Sequence, residues 1–241
     1  MSGFGNFNPS MMAQANANIS PAMELDQRRF IHRTYGWMAI ALALTGFVAL
    51  GVSQSPKLVE SIARAWPLLI IGQIVLAFGL QFAINRISSV AAAGLFLAYA
   101  ASFGLTVSIL LMVFTTASVF GAFFITAATF GGLALWGTFT NTDLTKLGSI
   151  AGMALYGLII AIVVSFFIHS TGFEMLINVA GVLIFTALTA YDAQKIKYMY
   201  LVGAENSEVS KKASVMGAFV LYLDFINLFM FILQFVGQQR D

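Results

Sequence analysis

The sequence predicts an all-α polytopic membrane protein with seven transmembrane helices, and three observations carry that prediction. Hydrophobic residues make up 59% of the 241 and charged residues only 9%, whereas soluble domains carry about 25% charged residues. Mean hydropathy is +0.88. Seven stretches approach or reach the roughly 20 apolar residues that cross a hydrocarbon core, with polar or turn-forming breaks between them.

Taken in order, the stretches run Thr34 to Val52, Trp66 to Ile84, Val90 to Phe114, Ser118 to Phe139, Leu147 to Ile168, Met175 to Asp192 and Ala213 to Val236. Only Thr115-Thr116-Ala117 separates the third from the fourth. Their combined run is far longer than a bilayer requires, so it reads as two helices. Residues 1–33 read as a mobile polar tail: MSGFGNFNPSMMAQANANISPAMELDQRRF is rich in Asn, Ser and Gly and lacks the apolar core of a cleaved secretory signal. The first span then acts as its own insertion signal. Residues 34–236 form the transmembrane domain and 237–241 a short C-terminal tail.

Basic residues set the orientation. With the N-terminus in the cytoplasm, the inner segments hold Arg28, Arg29, Arg33, Arg86, Lys146, Lys195, Lys197, Lys211 and Lys212, and the outer ones only Lys57, Arg64 and Arg240. The positive-inside rule selects that topology. An odd number of spans puts the C-terminal GQQRD outside.

Composition also narrows the function classes. A net charge of +2 with scattered basic residues offers no stripe for nucleic acid. The absence of cysteine removes disulfides, thiolate metal sites and cysteine nucleophiles together. His32 and His169 flank different spans and form no spaced metal motif, so each reads as an interfacial polar residue. Small residues in FGGLALWG (Phe130 to Gly137) and at Gly148-x-x-x-Gly152 read as helix-packing positions.

Asp224 is the residue that speaks to function. It lies in the middle of the seventh stretch, in VLYLDFINLF. Counting from Ala213 it is about 16 Å deep in a core of about 30 Å. Insertion of such a charge costs at least about 2.5 to 3.5 kcal/mol, so intramembrane carboxylates face the protein interior and mark ion or proton pathways. Asp192 closes the sixth stretch. If that helix continues to Tyr198 and Tyr200, with Lys195 and Lys197 snorkelling, Asp192 is about 9 to 12 Å deep and can meet Asp224. Two carboxylates held close in a poorly hydrated bundle share a proton and titrate as a unit. The proton ties the two helices together; its loss leaves the pair to repel or to bind a cation. Ca²⁺ suits carboxylate and carbonyl oxygens, but two Asp make no tight metal site, and weak binding suits conduction.

A purely structural role is the alternative: Asp224 pairs with Arg86 or bonds to tyrosine and asparagine side chains, with Asn227 one turn on along the same face. Arg86, in FAINRISS at the inner end of the second span, is the natural cation for either carboxylate and equally an inner-face anchor. Paired aspartates also suit an intramembrane protease of the presenilin type. Tyr191-Asp192 matches its YD motif, but Leu221-Tyr222-Leu223 stands where the glycines of GxGD belong and no Pro-Ala-Leu follows. No catalytic residue and no enzymatic activity are therefore expected.

RTYGWMAIALALTGF, YAASFGLTVS, GTFTNTDLTKLG, TALTAYDAQKIK and VLYLDFINLFMFILQFVG together resemble the Bax inhibitor-1 family in its bacterial branch. The resemblance implies a seven-helix bundle with the last helix central and a pH-sensitive Ca²⁺ leak governed by aspartates at Asp192 and Asp224. It also implies that Arg86 latches the aspartate of the seventh span. The expected function is thus a pH-gated cation leak in the bacterial inner membrane, acting on Ca²⁺ and protons, with no cofactor. The alternative from the same resemblance is a non-conducting regulator that binds a membrane-anchored quality-control protease.

Overall fold

The computed structural model describes residues 21–168, 170–200 and 207–240. Eight helices account for nearly all of these: α1 (Pro21–Ser53), α2 (Pro56–Arg64), α3 (Trp66–Ala83), α4 (Ser89–Val113), α5 (Thr116–Phe139), α6 (Thr145–Ser165), α7 (Thr171–Met199) and α8 (Glu208–Val236). All but α2 are long and apolar enough to cross a membrane. These seven correspond in order to the expected spans. The two helices in the long hydrophobic run are separate, with the break at Phe114 and Thr115, and the Thr115 hydroxyl caps α5 by accepting from the Ser118 amide. Ser88 and Ser207 cap α4 and α8 in the same way.

Two elements differ from expectation. α1 begins at Pro21 rather than Thr34, so residues 21–33 are helix and only residues 1–20 of the expected tail lie outside the described residues. The added turns are anchored: Phe30 is 2% exposed, its ring lies 6.1 Å from that of Tyr200, and the Gln27 amide donates to the Lys197 carbonyl at 2.9 Å. The second is α2, nine residues with Pro56 at its start and Val59 fully buried, too short to register as a span. His169 lies outside the described residues.

α8 is the axis of the bundle. In its most apolar window 72% of residues are buried, against 6 to 44% in the other six spans, and it packs on α1, α4, α5 and α7. Phe219, Leu221, Tyr222, Leu228 and Leu233 are fully enclosed. Tyr222 and Phe219 meet Phe96 and Tyr99 of α4 edge-to-face, with centroids 5.3 to 6.0 Å apart, the geometry that ring quadrupoles favour. At the end of this cluster the Thr45 hydroxyl lies 2.9 Å from the Ala41 and Ala100 carbonyls and 2.7 Å from the Tyr222 hydroxyl. Glycines allow close crossings where expected in part: Gly148 packs against the Tyr191 ring and Gly137 against the Ala190 carbonyl, while Gly131, Gly132 and Gly152 face open space.

The C-terminal tail is tied down. The Thr115 amide donates to the Gln238 carbonyl at 2.9 Å and the Arg240 amide to the Val113 carbonyl at 2.9 Å, which fastens the far end of α8 to the α4–α5 turn.

Candidate functional site

α7 runs to Met199, so Asp192 lies seven residues, about 10 Å, from its end. Asp224 lies 16 residues, about 24 Å, along α8 from Glu208. The two helices pack against one another, and the carboxyl groups of the two aspartates meet within hydrogen-bonding reach. Aspartates that meet at those two distances from their helix ends place the start of α8 beyond the end of α7.

Asp224 is 5% exposed, and its Oδ2 is buried with no hydrogen-bond partner among protein donors. Asp192 is half-buried. Ionised carboxylates are acceptors only, so neither can satisfy the other unless a proton lies between them. A buried acceptor left without a donor costs about 1 to 3 kcal/mol, more if charged.

The cation beside the pair is Lys195, one turn after Asp192 and close enough to act on both carboxylates. Its Nζ stands 5.8 Å from the centroid of the Tyr191 ring. Arg86 is placed elsewhere: it is exposed in the turn after α3 and, among the described residues, makes no ion pair with either aspartate. Asn227 follows Asp224 on α8, but its amide is engaged with the Leu223 carbonyl at 2.7 Å. Lys195 was visible in the sequence three residues after Asp192, at the spacing that shares a helix face.

The segment before α6 supports α7 from the side. Buried Gln194 accepts from the Leu144 amide at 2.9 Å and donates to the Thr142 carbonyl at 2.8 Å. Asp143 in that segment accepts from the Thr145 amide at 2.9 Å. The Thr145 side chain, and after it this amide bond, hold the Asp143 carboxyl below the usual carboxylate range. Among the described residues no three His, Cys, Asp or Glu side chains converge as a metal site.

Fold and site together define a seven-span α-helical membrane protein with two facing aspartates in its core. Residues 27–241 match the family model described as "Inhibitor of apoptosis-promoting Bax1". The chain belongs to the Bax inhibitor-1 family. It is 40% identical over 221 residues to an uncharacterized protein of Borreliella burgdorferi, covering 90% of this chain and 95% of that one. A Deinococcus radiodurans protein is 40% identical over 218 residues, covering 90% and 94%. Inner membrane protein YbhL of Escherichia coli K12 is 37% identical over 215 residues, covering 88% and 92%.

Proposed function

We propose that the protein is a pH-gated cation leak of the bacterial inner membrane, passing Ca²⁺, with its N-terminus in the cytoplasm. The observation that carries this reading is the contact between Asp192 and Asp224 on adjacent helices, one of them the bundle's axis. With one proton shared, the pair ties α7 to α8 and the path is shut. When the proton leaves, two carboxylates in a poorly hydrated core repel, and α8 is released from α7 at that level. A cation passing the separated pair offsets their charge. Two Asp supply far fewer than the six to eight oxygens of a tight Ca²⁺ site, so occupancy is brief, as conduction requires.

Ca²⁺ uptake by liposomes containing the purified protein, followed with a trapped indicator across pH, tests the reading. Protein-dependent uptake that changes with pH supports it. Uptake equal to that of empty liposomes at every pH sinks it and, if cross-linking in cells then captures a membrane-anchored protease, leaves a non-conducting regulator in its place.

A further inference from the structure

The bundle is open sideways between α1 and α5. α1 packs mainly on α4 and α8, and α5 on α7 and α8, so the two helices stand either side of α8 with a groove between them. Its volume is about 880 Å³, within the roughly 300 to 1,000 Å³ of ordinary ligand pockets. Phe225 forms part of its floor, and the Tyr35 hydroxyl bridges to Thr138 across it at 3.4 Å. A second cavity of about 460 Å³ shares Ala39, Leu42 and Phe225 with the first and continues to Leu50.

We propose that this groove is a binding site for an anionic phospholipid, with an acyl chain lying against α8 and the phosphate held at the mouth by Arg28, His32 and Lys197. Three features select that occupant. The first is length: Arg28 and Leu42 both line the groove, and their separation along α1 is about 21 Å, close to half of a core of about 30 Å plus its headgroup zone. The second is shape. Ala127, Gly131 and Ala134 are small residues in the α5 wall, beside Phe130, and a Cβ added at Gly131 would meet nothing within 4 Å. The rim residues Leu135 and Phe139 are 62% and 74% exposed, as lipid-facing residues are.

The third feature is charge. Charged side chains line the groove only at its mouth, where the one carboxylate, Glu24, is paired with Arg28 at 2.8 Å. Among the described residues neither the Lys197 ammonium nor the His32 ring meets a carboxylate. The mouth therefore has positive charge in excess at headgroup level, and basic pockets between spanning helices are sites for anionic headgroups. A zwitterionic headgroup would bring its own ammonium against that excess. The site stands independently of the leak, although Phe225 follows Asp224 directly, so a chain in the groove touches the helix that carries the pair.

Native mass spectrometry of the full chain released from nanodiscs of phosphatidylethanolamine and phosphatidylglycerol tests the proposal. The wild type should retain phosphatidylglycerol above its bulk ratio. Lys197→Gln and Arg28→Gln should each reduce that enrichment by about fivefold, while Lys195→Gln, outside the groove, leaves it unchanged. A Cβ at Gly131 meets nothing within 4 Å, so Gly131→Leu should remove the retained lipid while the gain in helix propensity keeps the melting temperature from falling. Retention at the bulk ratio, enrichment indifferent to Lys197→Gln, or a lipid-free dimer abolished by Gly131→Leu would each overturn it.

Discussion

Gly104→Ala should destabilise the bundle through one crossing. A Cβ at Gly104 of α4 would lie 2.7 Å from the Thr45 carbonyl oxygen and 2.7 Å from the Val48 Cβ on α1. Cβ atoms essentially never come within 3.0 Å of such atoms and seldom within 3.4 Å. Since one obstructing atom is backbone, α1 and α4 must part by about 0.3 to 0.7 Å, the gap between those limits and the present distance. Overpacking of this kind costs about 1 to 3 kcal/mol. Alanine regains up to about 1 kcal/mol of helix propensity, so a matched control is needed. Gly94, on the same helix, has nothing within 4 Å of its would-be Cβ, and Gly94→Ala collects the propensity gain alone. The two variants should therefore differ by the packing cost, about 2 to 12 °C in Tm at roughly 2 to 4 °C per kcal/mol. Thermal unfolding in detergent measures it. Equal melting temperatures would refute the close crossing of α1 and α4.

Three further outcomes follow from the same structure. Thr45→Val strands the buried Tyr222 hydroxyl and should cost about 0.6 to 1.7 kcal/mol, whereas Tyr222→Phe leaves Thr45 its carbonyl partners and should cost less; denaturation of both variants checks the order. Lys195→Gln should alter the pH dependence of Ca²⁺ flux because it removes the cation beside the pair, while Arg86→Gln, at an exposed side chain that makes no ion pair with either aspartate among the described residues, should leave it in place; flux curves of both decide. Asp143→Asn should lower Tm only where the carboxylate is ionised: its folded-state pKa lies below the ordinary 3.8, so its contribution is full above that value and disappears as pH falls through the depressed one. Melting curves of wild type and variant should converge in acid.

The seven spans were legible because each is a long apolar run, and hydropathy needs nothing more. What the runs hid were elements whose burial depends on a few residues. Gln27, Phe30, Thr34, Met38, Ala41, Thr45 and Ala49 are all buried along α1 at helical spacing, and the first two fall in the polar stretch read as tail. That periodicity was present in the sequence, but polar composition masked it. The nine residues of α2 are too few for a spanning window, though Pro56 marks its start. Asp192 and Asp224 were legible as improbable charges. Their contact depended on where α7 ends, which Lys195 and Lys197 left open; the helix continues past both lysines to Met199. Arg86 illustrates the limit: hydropathy placed it just after the second span, where it is found, but a side chain's reach depends on a turn that hydropathy does not describe.

The central claim is that one proton between Asp192 and Asp224 sets the flux. Asp224→Asn tests it most directly, since the amide keeps the shape and supplies Asp192 with a permanent donor. Ca²⁺ uptake by liposomes containing the wild type should change with pH through a single transition, and the Asp224→Asn protein should hold one rate across the same range. Superimposable curves from the two proteins would contradict the account.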